Sequence, residues 1–520
     1  MSGMNVIGLN TPNSYRLHGV TVSNNEGRQW DITDEVDSFE LIESIDSIFL
    51  KGSITIGENN NVFNRINFTG QEYIRLHFSG YETTEDDSEG KHINQVFRIF
   101  NVQNYVRDTQ QDLSKVLYSL QFCSPLLYEA QTKRISRHFV GKSGEIIEKI
   151  CTEYLNFDEN NSDENSLKPR VKGGKELGNY FSVFEGDAGE VHGFLCPTWS
   201  VHKALKYLAD HCSDDTQQPY GDSYYFYQTA SGLGGFRFCN IGTMQNMVYR
   251  QLEGTAAEFA PRDGAMVYSD NPDESESVGR DLLNYNKHNM YNTLVSHKTG
   301  LYAAHILNYN TVSKQLTTIE NEFTQQFEVD DDGLYTGNTI AALPPFRLGD
   351  ENIRVPSEPD GEGDGNPLPI APVGLNADAI IKRYGAAINF DYTVPHTFSN
   401  VVEVGEGVSD SSISSGNALV KNNRDRVKTL FQTTQINVQI GGRTDLSCGM
   451  MINLNIQQPK LEGKPEEETT QNGLMLITDI KWRGDRGGLE THLTVASDGF
   501  LENNPLNLKS PEPERSDGLS

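Results

Sequence analysis

Apolar and polar residues alternate with a period of two through most of the first 125 residues, which predicts antiparallel β-strands. In Lys51-Gly-Ser-Ile-Thr-Ile-Gly57 the isoleucines share one face, and in Glu72-Tyr-Ile-Arg-Leu-His-Phe-Ser79 so do Ile74, Leu76 and Phe78. Residues 81–90, with the acidic run Glu85-Asp-Asp-Ser-Glu89, read as a hairpin loop. Residues 96–106 and 115–122 form a second hairpin around 107–112. Four or more such strands in this length predict a small barrel or sandwich.

The period then changes. Residues 143–155 stripe Ile146, Ile147, Ile150 and Tyr154 along one helical face, with Ser143 placed to cap. Residues 199–212 do the same with Val201, Leu205, Leu208 and Cys212. A polar loop at 156–168 separates them, and strands at 223–228 and 235–239 follow, joined by a glycine-rich turn. Strands are expected again at 291–297 and 302–309, and short helices at 377–384 and 417–431, the latter with Leu419, Val427, Leu430 and Phe431 on one side. Residues 344–374 hold seven prolines and read as a long exposed acidic loop.

One pattern occurs twice. Tyr73-Ile-Arg-Leu-His-Phe78, an acidic loop, Val96-Phe-Arg-Ile-Phe-Asn-Val-Gln-Asn-Tyr105 and Val116-Leu-Tyr-Ser-Leu-Gln-Phe122 make the first copy. Met451-Ile-Asn-Leu-Asn-Ile456, an acidic loop, Leu474-Met-Leu-Ile-Thr-Asp-Ile-Lys-Trp-Arg483 and Leu489-Glu-Thr-His-Leu-Thr-Val495 make the second. Ile74 and Ile99 map to Ile452 and Ile477 at one offset (452 − 74 = 477 − 99 = 378), and Leu120 maps to Leu493 after a turn five residues shorter. The pattern predicts a duplicated β-domain.

A chain of 520 residues is too long for one core. It has 43 basic and 72 acidic residues, a formal charge of −29, which excludes a nucleic-acid binder that neutralises phosphates. It fits a solvated surface, and also one past which DNA slides without sticking. No apolar run spans a bilayer, and the start, Met1-Ser-Gly-Met-Asn-Val, lacks a signal-peptide pattern, so folding in a cytoplasm is expected. The six cysteines, 123, 151, 196, 212, 239 and 448, form no CxxC pair and read as buried free thiols.

Candidate chemistry is thin. Gly141-Lys-Ser143 resembles the end of a phosphate loop, but Ser136 stands where the first glycine belongs, so a helix start is the better reading. Asp330-Asp-Asp-Gly333 lacks the alternation of a calcium loop. His202 with His211, and His288 with His297, lack the spacing of two ligands on one helical turn, which leaves zinc possible only through tertiary proximity. There is no GxSxG nucleophile and no assignable glycosidase pair. No catalytic, cofactor-binding or metal-binding residue is assigned, and no cofactor is expected.

The closing strands 451–456, 473–482 and 489–497, together with the block Pro197-Thr-Trp-Ser-Val-His-Lys-Ala-Leu-Lys-Tyr-Leu208, Tyr224-Tyr-Phe-Tyr227 and Phe236-Arg-Phe238, carry a family resemblance. Their layout resembles the baseplate central hub proteins of contractile-tailed phages, of the T-even type, and the hub part of the VgrG proteins of type VI secretion. The resemblance covers most of residues 30–500 and implies an α+β, mainly antiparallel β protein with two tail-tube-like barrels and inserted mixed modules.

On that layout 1–125 is the first barrel, 126–284 an inserted α+β module, and 285–325 with 433–503 the second barrel. Residues 326–432 are an insertion carrying the 344–374 loop, and 504–520 a polar tail. The resemblance also implies a homotrimer with pseudo-sixfold symmetry, joining a tail tube to a trimeric central spike on a separate chain. Baseplate wedge proteins and the tape-measure protein are its expected neighbours. The same resemblance implies that DNA passes through an acidic lumen without specific binding, that the protein is not inserted in a membrane, and that its location is the virion tail, assembled in the host cytoplasm. Two other readings stay open: a receptor-binding adhesin and a tail-associated cell-wall hydrolase.

Overall fold

The computed structural model describes residues 13–24, 26–80, 92–107, 116–157, 180–189, 192–214, 221–230, 235–246, 248–250, 258–260, 266–269, 282–290, 293–301, 303–310, 314, 316–322, 387–393, 410–455 and 473–497. The acidic loops at 81–90 and 344–374, the calcium-like run at 330–333, the expected helix at 377–384 and the tail at 504–520 lie outside them.

The N-terminal region forms β1 (Arg16–Ser23), β2 (Gln29–Asp31), β3 (Val36–Ser44), β4 (Lys51–Glu58), α1 (Val62–Ile66), β5 (Tyr73–Ser79), β6 (His92–Arg107) and β7 (Val116–Cys123). After the inserted region come β15 (Met266–Ser269), β16 (Leu282–Met290), β20 (Thr434–Gly441), β21 (Met451–Asn455), β22 (Gly473–Asp485) and β23 (Gly488–Ser497). All these strands join one thirteen-stranded sheet, in which β16-β20-β23-β22-β3-β4-β7-β6-β5-β1-β2 is the main path and β21 and β15 branch from β22. The fold is mainly antiparallel β with inserted α+β segments, as expected. One apolar core runs under the whole sheet, from Val20, Ile54, Ile74 and Phe122 to Ile452, Ile477, Trp482 and Val495.

The inserted region has its own core, built by α2 (Pro125–Thr132), β8 (Arg134–Gly141), α3 (Ser143–Leu155), β9 (Phe181–Phe184), β10 (His192–Ser200), α4 (Val201–Asp210), β11 (Tyr224–Thr229) and β12 (Gly235–Asn240), while α5 (Ile241–Asn246) turns Ile241 and Met244 into the core of the large sheet. Phe157, Phe181, Phe226, Phe236 and Phe238 pack ring against ring there, edge-on for Phe157 and Phe181 and stacked for Phe226 and Phe236, and Ile48 and Phe49 from the β3–β4 turn complete it. A short pair, β13 (Val248–Arg250) and β14 (Glu258–Ala260), follows.

Two local expectations are corrected. Ser143 is the first residue of α3 rather than its cap: the cap position is Lys142, whose N–H donates to the Glu145 carboxylate at 3.3 Å. The alternation at 291–297 does not make a strand, because Thr293–Thr299 forms helix α6. The ladder on β20 already ends on β16 at Met290, so no sheet edge receives the segment there, and it packs on helix α7 (Asp410–Thr433). Strands β17 (Ala303–Asn310), β18 (Leu316–Glu322) and β19 (Ala387–Thr393) form a separate three-stranded sheet, and β16 straddles the boundary drawn at residue 285.

Helix α7 is longer than the expected 417–431, and it buries Val427, Leu430 and Phe431 as that stripe requires. Its polar side binds too. Buried Arg426 donates twice to the Leu301 carbonyl, at 3.0 and 2.9 Å, and Arg424 pairs with Asp210 at 2.7 Å. The helix thereby ties the inserted module to the second half of the large sheet.

Candidate assembly site

The two halves of the large sheet are copies in register. Strands β1, β3, β4, β5, β6 and β7 have counterparts β15, β16, β20, β21, β22 and β23, and the path β3-β4-β7-β6-β5-β1 is repeated as β16-β20-β23-β22-β21-β15. Pairing is conserved at the level of single residues. Ile74 faces Phe97, as Ile452 faces Met475, and Ile54 faces Leu120, as Val438 faces Leu493.

Even the irregularities recur. The β6–β7 ladder skips between Ile99 and Asn101, and β22–β23 skips between Ile477 and Asp479. The β3–β4 ladder skips between Val36 and Ser38, and β16–β20 between Leu282 and Asn284. Such a bulge inserts one residue, so two apolar residues three apart face the same side of a strand. Ile99 and Val102, Ile477 and Ile480, and Val36 and Phe39 all reach the core this way. One departure stands out: β1 runs antiparallel to β5, whereas β15 runs parallel to β21.

The copies are fused edge to edge. From Asp479 to Asp485, β22 pairs on one side with β23 and on the other with Ser44 to Ser38 of β3. The equivalent stretch of β6, beyond Ile99, pairs only with β7, and β16, the counterpart of β3, pairs only with β20. Among the described residues no strand covers either edge. The β6 edge exposes Phe100, Tyr105 and Val106, with Val106 at 58% of its free area, and β16 exposes Leu283. Isolated open edges with apolar side chains are sites of strand addition.

The face opposite the core is polar. On the first copy it carries amide and hydroxyl pairs, Thr55 with Ser119 at 3.1 Å and Gln121 with Asn101 and Gln103, each at 3.1 Å, and toward β5 and β1 it carries Arg75 and Arg16. On the second copy it is charged with mixed signs: Lys481 pairs with Glu40 at 2.8 Å, and His492 lies 3.3 Å from Glu490. Here the sheet curls into a cleft of about 460 Å³ lined by Ile42, Asn284, Asn437, Asp479, Lys481 and Arg483, among others.

A buried polar node fixes the inserted module against both copies. Glu43, fully buried on β3, accepts N–H bonds from Ala230 at 2.7 Å and Cys448 at 2.6 Å. Burial pushes its carboxyl up to about 7, against the pull of those two N–H groups and Arg237. Arg237 donates to the Cys448 carbonyl at 2.8 Å and to Ser447 Oγ at 3.0 Å, and Tyr227 donates to the same carbonyl at 3.2 Å.

The residues weighed in sequence are placed as follows. All six cysteines are buried free thiols, and burial raises the thiol of Cys123 to about 11. Gly141, at φ 147°, turns β8 into α3. His202 stacks on Phe49 and His211 on Tyr207, and burial lowers both imidazoles. The side chains of His288 and His297 lie outside the description. The structure instead gathers His18, His77 and His92, three histidines too far apart in sequence for any spacing rule.

Among the described residues no helix is long and apolar enough to cross a membrane. No family model matches the chain, and no curated protein matches it in sequence. Among solved structures it is similar to phage tail and type VI secretion proteins. The tail protein of Neisseria meningitidis MC58 aligns over 94% of this chain and 97% of its own, with TM-score 0.43 and 8% identity. The 43 kDa tail protein of prophage MuSo2 from Shewanella oneidensis aligns over 92% and 98%, with TM-score 0.42 and 8% identity. An Escherichia coli component of the type VI secretion system, described as structurally similar to bacteriophage T4 tail proteins, aligns over 94% and 78%, with TM-score 0.36 and 9% identity.

Proposed function

We propose that this chain is the central hub of a contractile-tail baseplate or of a related injection machine. It acts as a structural adaptor, not a catalyst: a homotrimer whose two register-matched units per chain present six similar units around a channel. One face of that ring meets the sixfold tail tube and the other a trimeric spike, with wedge proteins outside and the tape-measure protein a further neighbour. DNA passes through the lumen unbound, and the protein belongs to the virion tail, assembled in the host cytoplasm.

The observation that supports this is the fused edge. Within one chain the second copy joins the first by β22 pairing with β3, and the equivalent edges, β6 and β16, are open at the two ends. Pairing β6 of one subunit with β16 of the next repeats the internal junction and closes a head-to-tail ring. The polar face, mixed in sign, then supplies the lining.

The test is the mass of the purified chain, alone and with its spike partner, against the 58.1 kDa of one chain. About three copies and a ring in micrographs are expected. Val106→Lys, which puts a charge on the open β6 edge, leaves the subunit folded and disperses the ring. A chain that remains monomeric with its spike overturns the reading, and clearing of a peptidoglycan suspension would favour a cell-wall hydrolase.

A further inference from the structure

Three imidazoles meet on the polar face of the first copy. His18, His77 and His92 come from the adjacent strands β1, β5 and β6, and their ligand nitrogens all lie within 4.8 Å of one another. Register explains the convergence. His77 shares its face with Tyr73, Arg75 and Ser79, and Ser79 faces His92 across the β5–β6 ladder. On β1 the ladder to β5 skips between Leu17 and Gly19, so His18 is a bulged residue, turned out of the alternation toward the other two.

We propose that these three histidines bind one divalent transition-metal ion of the zinc class, clamping the three strands together. The ring centroids are 4.4, 4.9 and 5.6 Å apart. Three imidazoles bound tetrahedrally at about 2.0–2.1 Å per nitrogen place their centroids about 5 Å apart, so the spacing of the rings suits one ion. His18 and His77 lie stacked at 21°, and one of these half-buried rings turns on binding to aim its nitrogen at the ion. Three protein nitrogens leave a fourth position for water or an incoming ligand.

Ser79 Oγ lies 2.8 Å from His18 Nε2 and orients that ring, as an outer partner does around a bound metal. Arg75 Nε donates to Asn94 at 2.8 Å, which ties its guanidinium to β6. Soft thiolates are absent from the set and imidazoles suit zinc, copper and nickel, so zinc is the expected occupant where it is the available ion. The second copy does not repeat the set: Asn455 stands where His77 stands in the first. The site therefore belongs to one unit and not to the duplicated plan.

The test uses the full chain, stripped with chelator and titrated with Co²⁺ and then Zn²⁺. One Co²⁺ per chain with the visible absorption of a four-coordinate ion, displaced by one Zn²⁺ and accompanied by a higher melting temperature, is expected. His77→Gln and, separately, His92→Gln should weaken binding by about 100-fold or more while the metal-free melting temperature stays that of the wild-type apoprotein. Lack of saturable Co²⁺ uptake by the wild-type chain overturns the proposal. So does uptake that persists unchanged in both variants.

Discussion

The two copies of the β-unit share pairings and bulges, and differ in what covers them. At the β7–β6 bend of the first copy, Asn104 and Tyr105 lie opposite Tyr118 in a second skip of the ladder, where the other copy places Trp482 opposite Thr491. Tyr105 stays half exposed against Phe63, whereas Trp482 is fully buried and donates its indole N–H to the Arg443 carbonyl at 2.7 Å. The same strand position is thus a finished interior in one copy and an unfinished edge in the other. The comparison teaches that the duplication preserved the ladder and let the surroundings diverge.

The sharpest way to break the comparison is a pair of truncations. Trp482→Ala should cost about 3–5 kcal/mol, through the cavity and the lost indole bond to the Arg443 carbonyl, in urea unfolding followed by far-ultraviolet circular dichroism. Tyr105→Ala should cost about 1 kcal/mol or less in the subunit and act on assembly instead. Equal losses in the two variants would mean that both positions are core.

Gly449 is the next test. It sits at φ 78°, and a Cβ there would meet the Tyr227 hydroxyl, which belongs to the node that docks the inserted module. Gly449→Ala should destabilise by on the order of 1–3 kcal/mol, while Gln71→Ala, at the matching offset in the first copy, should be close to neutral. A neutral Gly449→Ala would show that the loop relaxes freely.

The smallest effect is a slope. Glu43 has no carboxylate counterpart on β16, where Asn289 and Met290 occupy that end of the strand. Its folded-state value of about 7 lies above the ordinary 4.5, so the folded chain holds a proton that the unfolded chain has lost between those values. Stability contributed by this group therefore falls as pH rises from about 4.5 to about 7, and is level outside that window. Glu43→Gln should flatten the profile of melting temperature against pH there, and an unchanged profile would assign the slope to other groups.

Much of this was legible in the chain and some was not. The three-strand repeat was visible because Ile74, Ile99 and Leu120 map onto like residues at nearly constant offsets. The other three strands of the repeat were hidden. Phe39 corresponds to Tyr285 and Ile54 to Val438, and the long insertion between β16 and β20 erases any shared offset. The bulges were written as apolar residues three apart inside a strand, Ile99 with Val102 and Ile477 with Ile480, a spacing that alternation alone does not explain. The segment 291–297 misled because Leu294 and Val295 look like strand residues yet lie exposed on α6, where no ladder was available. The histidine cluster had no linear signal, since three strands and a bulge bring it together.

The fused β22–β3 seam has an arithmetical consequence. Each chain carries its two units as an inseparable couple, so any closed ring built by this edge pairing contains an even number of units. Five- and seven-membered rings cannot form, and a six-membered ring needs only three encounters between molecules, because the other three seams are made when each chain folds. Counting, normally enforced by the angle between subunits, is here partly written into the covalent chain.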